Sequence, residues 1–319
     1  MRAIAVLALM AGLGAATVLL AHYGFAAVGS ALLLLGWSGF LAIVFLHLLI
    51  IALCGIAWWA LLPAVGRTAP WTMVWARLVR DGGSEVLPLS QVGGYVLGAR
   101  AAAVAGLPGG TAAASTIVDV TMELLAQLAY TAIGLVMLLR LRPGFEWAAP
   151  IAAGLVAAAA LAAAFVSIQR RGLAFLDRLA VRKAGRWASA VAMSGGRVQA
   201  AIRAIYRRRS GLLAGFGLHL ACWIASAGEP WLALKLMRTP LDFGAVLAIE
   251  SLLYAARSIG FLVPNAFGVQ EGAYVALGAL FGVGPDAALA LSVLKRGRDL
   301  VLGLPVLLAW QVTEARRAL

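Results

Sequence analysis

Apolar residues in this chain run together in blocks of roughly twenty, separated by polar and basic stretches. Blocks of that length read as helices crossing a bilayer, since a barrel strand needs only about ten residues. Lipid offers the backbone no water to bond, so spanning segments must satisfy their own hydrogen bonds. The pattern predicts spans at 3–21, 37–62, 112–139, 147–168, 211–228, 242–262 and 286–310. Residues 3–21, behind the single Arg2, are expected as a retained first helix, with a cleaved signal peptide as the rival reading. The linker 63–86 carries Arg67, Arg77 and Arg80 and is expected in the cytoplasm. Trp71, Trp75 and Leu78 recur there at the spacing of a short interfacial helix. Glu229-Pro230-Trp231 is expected to break the pattern after the fifth span.

Two further segments, 87–110 and 263–284, are apolar but interrupted by glycine, proline and charge. They read as re-entrant or broken helices, tolerated at membrane depth only where protein or a cavity covers them. They also resemble each other. Gly93-Gly94-Tyr95-Val96, Gly106-Leu107-Pro108 and Ser115 are matched in order by Gly272-Ala273-Tyr274-Val275, Gly284-Pro285 and Ser292, with Pro88 and Pro264 upstream. The offset stays between 176 and 179 residues. Five ordered matches favour an internal duplication, and paired interruptions in two halves point to a transporter binding site. The expected fold is therefore all-α: one integral-membrane domain over 1–319, a bundle of seven or eight spans with two re-entrant segments and no soluble domain.

Composition agrees. Sixty-three per cent of residues are hydrophobic and 12% charged, against about 25% charged in a soluble domain, and mean hydropathy is +0.95. The net charge of +13 would suit nucleic acid, but its distribution does not. Residues 169–210 hold eleven Lys and Arg against one acid, Asp177, with no aromatic interleaving. That describes a basic cytoplasmic loop between spans, which orients the chain and can meet anionic headgroups. Cys54 and Cys222 lie singly in apolar runs, and His22, His47 and His219 are far apart. No disulfide framework, metal site or cofactor is implied.

A charge in mid-bilayer costs roughly 2.5–3.5 kcal/mol on insertion scales, which makes each one a functional candidate. Ser115, Asp119, Glu123 and Gln127 recur every four residues and make one face of the third span polar. That face needs a cavity or a cationic partner. Two carboxylates one turn apart also suit proton carriage, the alternative being a salt-bridge stripe between helices. Glu250, Tyr254 and Arg257 share a face of the sixth span, beside Ser251 and Ser258. Arg257 either binds phosphate or carboxylate with its fork of donors, or pairs with Asp119 or Glu123. Glu271 lies in the second interrupted segment, ahead of Lys295, Arg296, Arg298 and Asp299 in the last span. Lys295 and Arg298 are candidates for snorkelling. There is no phosphate-binding loop, no dinucleotide fingerprint and no arguable Ser-His-Asp set.

The stretch Leu262-Val263-Pro264-Asn265-Ala266-Phe267-Gly268-Val269-Gln270-Glu271-Gly272, followed by Gly284 and Arg296, resembles the flippase-like membrane domain of lysylphosphatidylglycerol synthases. Asn265-Ala266-Phe267 stands where that family has a richer glycine turn. Gln91-Val92-Gly93-Gly94, Gly98-Ala99-Arg100, Ser115 to Asp119, Glu123 to Gln127, Val269 to Gly272 and Leu304-Pro305 with Trp310-Gln311 are most similar to the hopanoid-biosynthesis-associated, HpnL-type branch. The resemblance covers nearly the whole chain and implies handling of a hopanoid or another polycyclic or glycerol-based lipid in a Gram-negative inner membrane. The chain leaves no room for the synthases' aminoacyl-transfer domain, so lysine transfer is not expected.

Three functions remain open from sequence. The first is a lipid transporter in which Arg100, Arg257 and Arg296 hold the headgroup with Glu271, while Asp119, Glu123, Glu250 and Asp299 balance charge. The second is a membrane enzyme modifying a lipid headgroup, for which no catalytic spacing is present. The third is a scaffold gathering hopanoid-pathway proteins through the basic loop.

Overall fold

A computed structural model describes residues 25–63, 68–86, 90–171, 186–259 and 266–318, with a few isolated positions before 25. The expected first helix at 3–21, Pro88, Pro264, Asn265 and the centre of the basic loop lie outside the described residues. The described residues form helices and turns, with no strand among them.

The chain runs through α1 (Phe25–Leu61), α2 (Pro70–Val86), α3 (Ser90–Val104), α4 (Gly109–Leu141), α5 (Ala148–Arg171), α6 (Arg186–Arg207), α7 (Arg209–Ser226), α8 (Gly228–Leu236), α9 (Phe243–Ile259), α10 (Val269–Ala279) and α11 (Pro285–Ala318). Among the described residues, four stretches are long and apolar enough to cross a membrane: Val28–Leu61, Gly109–Leu141, Ala148–Arg171 and Arg209–Leu236. The protein is thus a multi-pass membrane protein. The last stretch joins α7 and α8, so Glu229-Pro230-Trp231 does not end the span as expected. Pro230 falls in the first turn of α8, where a missing N–H costs little. At 34 residues α11 is as long as α1's apolar stretch, but carries Lys295, Arg296, Arg298 and Asp299 midway.

Contacts sort the helix ends onto two faces. Arg208 donates to the carbonyls of Ala60 and Leu62 at the end of α1. Gly110 at the start of α4 abuts Arg197 and Val198 of α6, Arg203 reaches the Arg171 carbonyl at the end of α5, and Arg317 reaches that of Val104 at the end of α3. These ends make a basic face. On the opposite face, Leu236 meets Gly39 of α1, Gly244 meets Met137 of α4, and Arg142 lies over the Phe281 ring.

Against this frame α2 and α3 are a hairpin. It leaves the basic face after α1 and returns to it before α4. The legs are antiparallel: Gly94 packs on Ser84 and Arg80, Gly98 on Arg80 and Ala76. Glycine is required here, since a β-carbon on Gly94 would sit 1.9 Å from the Ser84 hydroxyl and 2.5 Å from the Arg80 carbonyl oxygen. The linker helix expected at the cytoplasmic surface is therefore the inward leg of a hairpin, with Arg77 and Arg80 buried. The expected sixth span is the leg of a second hairpin. With 17 residues, about 25 Å at 1.5 Å per residue, α9 is short for a crossing. It starts on the opposite face, and α10 returns there. Both hairpins connect onward through a glycine in the left-handed region, Gly106 at φ 107° and Gly282 at φ 79°.

Gly94→Val is expected to lower the melting temperature of the detergent-solubilised protein, through an overpacking cost of about 1–3 kcal/mol. Gly217→Ala, whose new methyl meets nothing within 4 Å, should leave it unchanged or raise it.

Candidate functional site

The polar face of α4 meets arginines from α2. Arg77 donates to Glu123 at 2.7 and 3.2 Å and to Asp81 at 2.8 Å. Arg80 donates to Asp119 at 2.7 Å and also to Glu123, and its guanidinium lies 4.6 Å from the Tyr95 ring centroid on α3. Asp119 holds His219 of α7 at 2.9 Å, Oδ1 to Nε2. Ser115 accepts from the Trp58 indole at 3.1 Å. Farther along, Gln127 donates to the Ser258 hydroxyl at 2.8 Å and the Tyr254 carbonyl at 3.2 Å. The face thus has its cationic partner, from the segment expected to be a surface linker. The carboxylates do not meet Arg257.

Arg257 instead pairs with Glu85 at 3.2 Å. Each residue sits in the last turns of its hairpin's inward leg, so this ion pair joins the two tips. Gln127, about midway along α4, bonds the same end of α9, which puts the junction halfway between the faces. The pair is only half-buried, with side chains 13% and 26% exposed.

Three more pairs link α11 to its neighbours. Lys295 bonds Glu250 of α9 at 2.5 Å, and Tyr274 of α10 donates to the same carboxylate. Glu271 closes the start of α10, accepting from the Gly268 N–H at 2.8 Å, the Ser292 hydroxyl at 2.7 Å and Arg296 at 2.9 Å. Arg296 also lies 3.9 Å from the Phe267 ring centroid. Arg298 holds Glu229 of α8 and Asp299, and Glu229 also bonds His47 of α1 at 2.8 Å. Lys295 and Arg298 are buried and paired, so they do not snorkel.

Glu271 of α10 and Arg296 of α11 meet each other, while Arg257 of α9 stands on Glu85. Arg100 does not join them. It is 59% exposed near the basic face and pairs with Glu314 at 3.2 Å. Sequence reading missed Arg77, Arg80, Glu85, Glu229, His47 and His219 as members of this network. The one signal available was the α2 spacing of Arg77, Arg80 and Asp81, which makes a charged stripe on a helix otherwise read as interfacial. On the basic face, burial pushes the Tyr206 hydroxyl up to about 12, with Arg170 opposing. It stays protonated and donates to Gln169 at 2.7 Å.

A bundle of apolar helices with paired charges around two hairpins defines a multi-pass membrane protein. Residues 3–306 match the model of the lysylphosphatidylglycerol synthase TM region, and the chain belongs to that family. No curated protein and no solved structure matches it.

Truncating Arg80 to Ala strips Asp119 and Glu123 of a buried partner and is expected to destabilise the protein by about 3–5 kcal/mol. Adding Asp119→Asn should recover part of that loss. The check is a double-mutant cycle in chemical unfolding from detergent micelles.

Proposed function

We propose that the protein moves a lipid headgroup across the inner membrane along the junction of its two hairpins. The observation that carries this reading is the Glu85–Arg257 pair, which joins hairpins entering from opposite faces in mid-bundle. The hairpins are read as re-entrant, and the units α2–α3–α4 and α9–α10–α11 as an inverted repeat. In each unit a hairpin is followed by a left-handed glycine and a long helix starting on the hairpin's own face. The basic face, rich in arginine, is read as cytoplasmic by the positive-inside rule. With α1, α4, α5, α7–α8 and α11 as crossings, the 242–262 segment contributes a hairpin leg to the single domain.

The chemistry is partner exchange. A bare charge in lipid is costly, but Arg257 already has a carboxylate. An incoming phosphate or other anionic headgroup replaces Glu85 on Arg257, so the cation is never left alone, and the tips part. Glu271 of the same hairpin and Arg296 of α11 offer a second such pair, and the lipid tail stays in the bilayer. With no nucleotide motif, movement runs downhill or is driven by a gradient. The resemblance to the hopanoid-associated branch supports a hopanoid or related glycerol lipid as substrate.

The test is reconstitution in vesicles carrying fluorescent lipids of stated headgroup, with leaflet exposure read by dithionite quenching. Wild type is expected to speed transfer over empty vesicles. Arg257→Ala should cut that excess at least about tenfold, the equivalent of one lost charge-assisted hydrogen bond of ~1.4 kcal/mol or more. The charge swap Glu85→Arg with Arg257→Glu should keep the protein folded without restoring anion transfer. Undiminished transfer in Arg257→Ala refutes the assignment.

A further inference from the structure

The α2–α4–α7 cluster holds one feature that partner exchange at the tips does not use. His219 is 1% exposed, and its Nδ1 has no hydrogen-bond partner, while Nε2 is anchored on Asp119 at 2.9 Å. Buried polar atoms are rarely left unmade, and an exception in a charged cluster asks for a role. The charges around it do not cancel. On α2 stand Arg77, Arg80 and Asp81, and on α4 Asp119 and Glu123, linked by the bonds already given. Two cations face three carboxylates, leaving one negative charge in excess. From α1 the Cys54 thiol neighbours the ring, with Cys222 of α7 beside it.

The geometry points to His219, held by Asp119, as a proton-binding site whose free Nδ1 takes the proton that neutralises the cluster. An imidazolium there closes the charge count without any movement of the protein. The occupancy also depends on the first hairpin. Arg77 and Arg80 are the only cations in the cluster from α2, so withdrawing that hairpin leaves Asp119 and Glu123 facing His219 alone. One imidazolium no longer offsets two carboxylates, and Glu123, which loses both arginines while Asp119 keeps His219, takes up a further proton. Docking the hairpin again expels it. Proton binding and hairpin position are then linked, and each shifts the other by the same factor. This role in a cycle rests on the lipid-moving reading; the proton site itself does not.

Two measurements separate them. The first is nitrogen-15 NMR of histidine-labelled wild-type protein in lipid, with the His219 signals assigned by their absence in His219→Gln. The expected result at neutral pH is an imidazolium with both nitrogens protonated. A neutral ring with a bare Nδ1 from pH 5 to 8, roughly the range in which histidine ordinarily titrates, overturns the site whatever the lipid assay gives. The second is lipid transfer in vesicles under an imposed pH gradient. Wild-type rates should respond by up to about tenfold per pH unit for one proton per cycle, collapse to the gradient-free rate with a protonophore, and lose that response in Glu123→Gln. A wild-type rate indifferent to the gradient, with a cationic His219, overturns the coupling. Absence of any lipid transfer refutes the transport reading and the coupling, while the NMR result still decides the site.

Discussion

Every buried charge among the described residues of the central helices has an opposite charge within reach, and the architecture follows from that constraint. In a bilayer an uncompensated ion costs more than a helix can recover by packing. Asp119 and Glu123 on α4 can exist at depth only because α2 brings Arg77 and Arg80 to the same depth. That obliges residues 70–86 to leave the surface and fold inward, and the glycines of α3 let the chain return along them. The same logic on the other side of the bundle ties Glu250, Glu271 and Glu229 to Lys295, Arg296 and Arg298 of α11. The polarity is reversed. In the first unit the hairpin supplies cations and the long helix carboxylates; in the second the hairpin supplies Glu250 and Glu271 and the long helix the cations.

Reversed polarity has a mechanical consequence. The two units are held internally by strong, mostly buried pairs, yet their tips meet through one half-buried pair, Glu85 with Arg257. Buried, multiply bonded ion pairs resist separation, whereas a single, partly exposed pair is held by fewer bonds. A weak, chemically specific junction of this kind can part at the tips while the packed contacts of α4 with α9 and of α2 with α11 hold. Phosphate chemistry suits it, because a guanidinium fork accepts carboxylate and phosphate in the same geometry.

Much of this was legible in the sequence. Long apolar runs announce a helical membrane bundle, and the four-residue spacing of Ser115, Asp119, Glu123 and Gln127 announces a polar helix face that needs a partner. Interruptions of the apolar pattern were visible as well, because glycine and proline are local signals. What was not legible was direction and pairing. Residues 70–86 have the composition of a surface helix, and only their contacts with α4 turn Arg77 and Arg80 into buried partners. Residues 243–259 have the composition of a span, and only the return of α10 to the same face makes them a hairpin leg. Arg100 sits in an apolar stretch like Arg257, but its place near the basic face gives it Glu314 and keeps it apart. Partner identity across more than a hundred residues is a property of the packed bundle, and single-chain periodicity does not carry it.

The central claim is that the hairpin tips must separate for lipid to pass. The direct measurement is transfer in Glu85→Cys with Arg257→Cys, bridged by a short reducible bis-thiosulfonate across the junction, before and after reduction. The account predicts no transfer with the bridge in place and, on reduction, a return to the low rate of Arg257→Ala, since the tips can part again but the cation that holds the headgroup is gone. Equal transfer in the bridged and reduced states, with bridging verified by mass, contradicts it.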